Sequence, residues 1–569
     1  MRRLSRPTIV AAALVSLFAL PAGLSAEQPA QPSDPTLETL AEWVGIAANE
    51  LKLEGAPPPH RVVTVLGDVV NYNARAEFGA LLREDPMEQR QGRVEVVVGD
   101  DTLDSSRFTD PRQGRWARQR LKPQQRISVA VGNEELPLAR DLWISLDASY
   151  KDALQQWQAK VAAREALGGD APPPDWSPAD PVVAVDLTPL EPIDSEALRK
   201  IAIDASAALW EVGGLDRGEV TVSGTNYRFY MVTSEGTRLA QPEGYAAVHA
   251  SAALTRDDGV KIHDEMQWVV RDVSDLPSIE TIVEQVRELG LNIRQRAEAQ
   301  TVDYYEGPVV FEDRAAADFF RYLLTPEILG TPPVPEAGRS YQRQTRQGPR
   351  VGRRLLPDGW TVVDDPGSTP EGLAGAPAYD REGVACSAVQ LVDDGYVKEF
   401  LMSRVPRDDE SRSNGHARGS ISGTWEARPF VWRVEAPKNL SSKAFDKTLQ
   451  RARDRGRQER VLVVRRMHRN RTGRLPAPTL AVWRYPDGRE EPIELLEFQN
   501  VDRRTLRNVV AAGGGETVLS YLAPWEPSGY PDRQSGLPTV LTTPRRLLVE
   551  EMELVFQGAS EKPHSYPRP

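Results

Sequence analysis

Cysteine is all but absent from this sequence: Cys386 is the only thiol in 569 residues. That excludes a disulfide scaffold and means that a large core must hold the fold. Histidine is scarce as well. His60, His249, His263, His416, His468 and His564 are the full set, and no two lie within five residues of each other. The H-E-x-x-H helix, which sets two imidazoles one turn apart with a glutamate for the metal-bound water, is therefore missing. A G-x-S-x-G nucleophile elbow is missing too, because Gly419-Ser420-Ile421-Ser422-Gly423 has its serines out of place. Gly513-Gly514-Gly515 has no phosphate-loop lysine beside it and reads as a loop. Positive charge is in deficit, with 70 Lys+Arg against 82 Asp+Glu and a net charge of −12. An acidic body gains little from counterion release at phosphates, so nucleic acid is not an expected partner.

Long apolar runs are lacking except for the twelve residues Ile9–Leu20. A hydrocarbon core of ~30 Å needs about 20 residues of helix, so this run does not span it. With Arg2, Arg3 and Arg6 before it and Pro21-Ala22-Gly23-Leu24-Ser25-Ala26 after it, residues 1–26 read as an export signal. The rest is expected to be an exported protein, periplasmic or secreted, without a membrane span.

Apolar periodicity predicts helices at Thr36–Leu53, Ala139–Leu167, Ser195–Val212, Ile279–Ala299, Asp313–Leu324 and Ser442–Arg455. Between them fall β-rich runs: Val62–Phe78, Arg93–Val98, a meander from Glu219 to Val270, and Ala385–Val392 with Tyr396–Met402 flanking a hairpin signal at Asp393-Asp394-Gly395. The class is α+β, antiparallel sheets with flanking helices. Two domains are expected, at 36–300 and 301–558, followed by a tail at 559–569.

Few residues point to chemistry. His263-Asp264-Glu265 is the densest ligand-like cluster, and in an extended strand His263 and Glu265 share a face; a polar strand edge has the same appearance. The basic run from Arg465-Arg466 to Arg474 reads as a solvated loop. Cys386 sits in an apolar run, as a buried, inert thiol does. The loop Ser413-Asn414-Gly415-His416-Ala417-Arg418-Gly419 combines small residues with the donors Asn414, His416 and Arg418.

Several stretches of the second half, in order, resemble the C-terminal domain of the TldD/PmbA family, the modulator-of-gyrase metallopeptidases. They are Gly307-Pro308-Val309-Val310-Phe311-Glu312 with its Ala315-Ala316-Ala317 helix, Val362-Val363-Asp364-Asp365-Pro366, Tyr379-Asp380-Arg381-Glu382-Gly383-Val384, Leu391–Ser403, the Ser413–Gly419 loop and Leu547–Leu554. The first half is similar to the N-terminal domain at Thr233-Ser234-Glu235-Gly236-Thr237-Arg238. The resemblance implies a two-domain TldD/PmbA-like fold. Peptidase members carry H-E-x-x-x-H on the helix after the first strand, and a cysteine ligand near the C-terminus. Aligned from Gly307, those three motif positions fall on Arg321, Tyr322 and Pro326.

The resemblance thus implies a homologue with no catalytic residues, metal or cofactor. Such a protein would bind a peptide or unfolded polypeptide, or pair as a homodimer or as a heterodimer with a TldD-like subunit. Its degenerate site would be Arg321, Tyr322, Asn414, His416 and Arg418, with Arg321 and Tyr322 facing the cavity once used for zinc. The alternative is an active metallopeptidase cleaving unfolded peptides with zinc on unrecognised ligands, of which His263, Glu265 and His416 are the nearest.

Overall fold

The computed structural model describes residues 34–108, 124–129, 135–167, 173–301, 303–332, 350–408, 411–469, 474–494, 496–525 and 535–556. The export signal at 1–26 and the tail at 559–569 lie outside them.

Helix α1 (Pro35–Glu50) starts on Asp34, whose carboxylate accepts the Leu37 N–H, the usual satisfaction of a free helix donor. Strands β1 (Pro59–Glu77) and β2 (Ala80–Val98) follow, joined by Phe78 and Gly79 at φ 49° and 84°. A two-residue turn with both φ positive matches the twist of the strands it connects. β2 is longer than the Arg93–Val98 run expected from the sequence. Its first half, 80–89, is largely exposed and so shows no alternation.

β3 (Gln124–Val129), α2 (Glu135–Leu167), β4 (Val183–Val185), α3 (Ser195–Val212), β5 (Arg217–Thr233), β6 (Arg238–Thr255), β7 (Lys261–Val270) and α4 (Ile279–Ala297) complete the first half. The sheet order is β3-β2-β1-β5-β6-β4, with β7 on β6; only β4–β6 is parallel. Strand alternation gives the sheet two working faces. Val62, Leu66, Ala74 and Ala76 of β1 pack under the four helices. Val63, Val65 and Val69 point the other way, and Ala417, Ile421 and Trp425 of the second half cover them.

The second half runs β8 (Gln300–Thr301), β9 (Tyr304–Glu312), α5 (Arg314–Ile328), β10 (Thr361–Asp364), β11 (Val389–Asp393), β12 (Tyr396–Val397), β13 (Ala417–Arg418), β14 (Glu426–Ala427), β15 (Val431–Glu435), α6 (Ser442–Arg455), β16 (Val461–Met467), β17 (Pro478–Arg484), β18 (Glu490–Glu494), β19 (Leu496–Gln499), β20 (Val509–Ala523) and β21 (Leu537–Phe556). Its main sheet is ordered β12-β11-β10-β15-β21-β9-β16-β17-β18-β8, and β19 and β20 also pair with β21. Three of its pairs, β15–β21, β16–β9 and β18–β8, are parallel, so the sheet is mixed rather than purely antiparallel. The α+β class stands.

Helix α5 departs from expectation. It continues past Pro326 to Ile328, although an internal proline forfeits a helical hydrogen bond and costs ~3 kcal/mol. Its last turn is anchored from outside. Ile328 is fully buried, the Leu401 N–H donates to the Ile328 carbonyl at 3.0 Å, and the Gly330 N–H donates to the Leu401 carbonyl at 2.8 Å.

Candidate functional site

Three small residues, Ala315–Ala317, let α5 lie close against the sheet, and nearly every side chain it carries is buried. Arg321 is held inside: its Nη1 is 3.2 Å from Asp318 Oδ1, one turn back, and its guanidinium lies 4.0 Å from the centre of the Tyr521 ring. Burial works against this charge, but Tyr322, Asp318 and Tyr521 outweigh it and raise the Arg321 pKa above its ordinary value. The Tyr322 hydroxyl donates to the His468 carbonyl at 3.4 Å.

The 413–419 loop is built on Asn414. Its Nδ2 donates to the Phe400 carbonyl at 2.8 Å, and its Oδ1 accepts the Met402 N–H at 2.8 Å. His416 is fully buried, with Nδ1 at 3.0 Å from both Asn414 oxygens, Nε2 at 3.5 Å from Asp364 Oδ1, and its ring against Phe430. Asp364 also accepts the N–H groups of Phe430 and Val431, so it ties the loop to the start of β15. Gly415 between them sits at φ 79°, where an added Cβ would fall 2.1 Å from the Ala385 carbonyl oxygen. Gly415→Ala combines backbone strain with a clash against backbone and is expected to cost about 2 kcal/mol or more, read as a lower urea midpoint.

Of the predicted residues, Arg418 lines an open cavity. A cavity of about 370 Å³ lies between the free face of the first sheet and the second half, walled by Tyr227, Glu243, Arg381, Arg418, Phe430 and Trp525. The Arg418 guanidinium donates to the Pro429 and Pro538 carbonyls and to Thr539 Oγ1, and stacks over Phe430 at 4.1 Å. Burial pushes its pKa down to about 10. Arg321, Tyr322, Asn414 and His416 are not among the cavity's lining residues. Contacts nevertheless link three of the five: Arg321 stacks on Tyr521, Tyr521 pairs with Thr539 across β20–β21, Thr539 accepts Arg418, and Arg418 and His416 share Phe430.

Sequence reading missed the cavity's strongest polar group. Arg381 makes a two-pronged contact with Glu243, Nη2–Oε2 at 2.8 Å, and donates to the Tyr227 hydroxyl at 2.6 Å; Tyr227 in turn donates to Glu243 at 2.6 Å. Beside it, Asp380 accepts the N–H groups of Glu382, Val384 and Ala417. Burial, reinforced by the Glu382 charge, pushes the Asp380 pKa up to about 7. The turn Asp380-Arg381-Glu382-Gly383, with Gly383 at φ 77°, falls in a stretch quoted only for the family resemblance, and the partner of Arg381 lies 138 residues away, where no local pattern points to it. Cys386 is half-buried beside this turn, and burial and the Asp380 charge raise its thiol pKa far above normal.

The residues named for an alternative metal site do not gather. Glu265 contacts His249 at 2.9 Å and Arg469 at 3.5 Å, Asp264 pairs with Arg466 at 2.8 Å, and His263 stacks on His468 at 4.3 Å. His416 shares none of these partners. The 465–469 stretch is therefore not a solvated loop. Arg466 and Arg469 turn inward because the β7 carboxylates face them, and they cover what looked like a polar strand edge. Among the described residues no group of three His, Cys, Asp or Glu side chains is placed to hold a metal ion.

Residues 305–541 match the PmbA/TldA metallopeptidase C-terminal domain. The chain is 26% identical over 265 residues to a metalloprotease of Synechocystis sp., a match covering 45% of this chain and 54% of that protein, so it spans about half the length of the curated relative. Solved structures share the fold over 91% of the chain. They include a protein described as a modulator of a DNA gyrase from Thermotoga maritima (TM-score 0.56, 14% identity, 99% of that chain). TldE from Thermococcus kodakarensis gives the same figures. A further protein described as a modulator of DNA gyrase, from Bacteroides thetaiotaomicron, gives TM-score 0.54 and 13% identity over 98% of its chain. A metallopeptidase homologue of α+β fold is the class these matches define. Over residues 305–541 the chain is similar to the C-terminal domain of the TldD/PmbA metallopeptidases, and its fold is that of TldE and of the proteins described as modulators of DNA gyrase.

Proposed function

We propose that this chain is an exported member of the family that has lost the zinc site and serves as a peptide-binding or partner subunit without hydrolysis of its own. The observation that carries this reading is Arg321. Where the resemblance expects the first imidazole, a buried guanidinium is committed to Asp318 and Tyr521. An arginine stays protonated and does not ligate a cation. Tyr322, at the position of the general base, spends its hydroxyl on a backbone carbonyl, and Pro326 has no side-chain donor at all. Losing Lewis-acid activation and the base removes both contributions that drive amide hydrolysis in such sites.

The ligand we assign is an extended, unfolded peptide. The 370 Å³ cavity offers it aromatic walls at Tyr227, Phe430 and Trp525 and the Arg418 charge, a combination suited to a backbone carbonyl or a terminal carboxylate. The partner is a second copy or a TldD-like subunit, the two halves act as domains at 36–300 and 301–558, and the address is periplasmic or extracellular. The test is elemental analysis of the purified mature protein with a peptide assay alongside. The expected result is substoichiometric zinc, no cleavage of an unfolded labelled peptide, and saturable binding of that peptide weakened by Arg418→Met. Stoichiometric zinc with cleavage that chelators abolish would overturn the reading.

A further inference from the structure

A second concavity, of about 990 Å³, lies between α6, the β17–β18 turn and the middle of β21. It shares no lining residue with the first cavity. Its six basic side chains, Lys443, Lys447, Arg453, Arg484, Arg545 and Arg546, outnumber the acidic Glu312, Asp313 and Asp446. A basic groove on a chain of net charge −12 is a local reversal of the protein's own field.

The groove is also organised. Glu312 at its base receives Arg484 at 2.8 and 3.0 Å, Arg546 at 3.2 Å and Arg465 at 3.3 Å, so one carboxylate fixes three guanidinium groups. Arg546 is further oriented by Asp446 at 2.9 Å and by the Phe445 ring beneath it. Lys443 and Lys447 stand one turn apart on the exposed face of α6. Among the described residues neither has an ion pair or side-chain hydrogen bond. Leu449 and Val461 give the groove an apolar floor. At its edge Asp313 is held at φ 50° with its N–H on the Arg545 carbonyl. Backbone strain of this kind in a residue other than glycine concentrates at functional positions.

We propose that this groove docks an acidic, extended polypeptide segment of a protein partner, whose carboxylates pair with Lys443, Lys447 and the Arg545–Arg546 edge. The carboxylates already inside the groove favour a polypeptide over nucleic acid. A peptide can place its charges singly around Glu312, Asp313 and Asp446 and set apolar side chains on Leu449 and Val461, whereas a phosphodiester chain carries a charge at every unit. The inference is independent of the zinc reading.

The probe is a fluorescein-labelled peptide alternating glutamate and leucine, titrated with the full mature protein and followed by anisotropy. Binding is expected at about 0.01 M salt and weakens at about 0.15 M, as the screening length falls from ~30 to ~8 Å. Lys443→Glu/Lys447→Glu is expected to weaken it about tenfold or more, since each reversal turns an attraction into a repulsion. The exposed pair Arg199→Glu/Lys200→Glu on α3 is expected to leave affinity unchanged, and melting curves verify that both variants fold. Equal losses in the two variants would sink the proposal, as would oligothymidylate binding as tightly as the peptide. Sedimentation showing that the peptide competes with self-association would assign the groove to a second copy instead and overturn the partner claim.

Discussion

Arg381→Met is expected to cost about 3–5 kcal/mol of folding stability, because it leaves the buried Glu243 carboxylate without its counter-ion. The pair joins the free face of the first sheet to the turn at 380–384. Arg381 is 6% exposed and lies over the rings of Phe229 and Tyr227, so the change removes packing as well as charge. Burial by itself would raise the Glu243 carboxyl, but Arg381, Tyr227 and Gln241 hold it below its ordinary range. The sign follows. A carboxyl depressed in the folded state adds stability that is present above the unfolded value, about 4.3, and is lost as pH falls through the folded one. Urea unfolding measures both effects. The double variant Arg381→Met/Glu243→Gln is expected to recover much of the loss, with a coupling of ~2 kcal/mol or more between the sites. Additive single and double effects would show that the pair is not the source.

The second large effect concerns acid. His468 has its pKa pushed down from 6.5 to about 4, first by burial and then by His263 and Arg296, against smaller opposing contributions from Asp264 and Glu265. Its neutral ring is the form the fold accepts. The unfolded chain binds a proton below about 6.5 that the folded chain refuses until about 4. Stability is therefore full above the higher value and is lost progressively toward the lower, by up to ~3 kcal/mol. His468→Gln is expected to flatten the stability curve between about pH 4 and 6.5, and an unchanged slope would place the acid sensitivity elsewhere. The site helix shares in the outcome, since the Tyr322 hydroxyl hangs on the His468 carbonyl.

What could be read from the sequence follows from how local its cause is. Helices α3, α4 and α6 are encoded by 3.6-residue apolar stripes and capping residues such as Asp194, Ser278 and Ser441, and they fall where periodicity puts them. The hairpin at Asp394-Gly395 is likewise local chemistry, with both residues at positive φ. The β11 strand is shorter than its apolar run, Val389–Asp393 rather than Ala385–Val392, because Cys386 and its neighbours are drawn instead to Ala378 and the Gly415 turn. The site was legible as residues and illegible as geometry. Arg321 and Tyr322 stand out by type, but their burial depends on Tyr521 and His468, which lie 146–200 residues away in sequence. The inward turn of Arg466 and Arg469 required knowing that β7 lies opposite, and no local pattern carries that.

The placement of β21 has a consequence for the order in which the molecule can be made. This strand of 20 residues pairs with β9, β15, β19 and β20, so the middle of the second sheet is supplied by the last strand among the described residues. Until it emerges during synthesis, β9 and β15 have no common neighbour, and the apolar residues they will share remain uncovered. Among the described residues the first sheet contains no strand from beyond residue 270, so it can close earlier. On this topology the first half is expected to close first, with the half that carries Arg321 open to chaperones and proteases until β21 arrives.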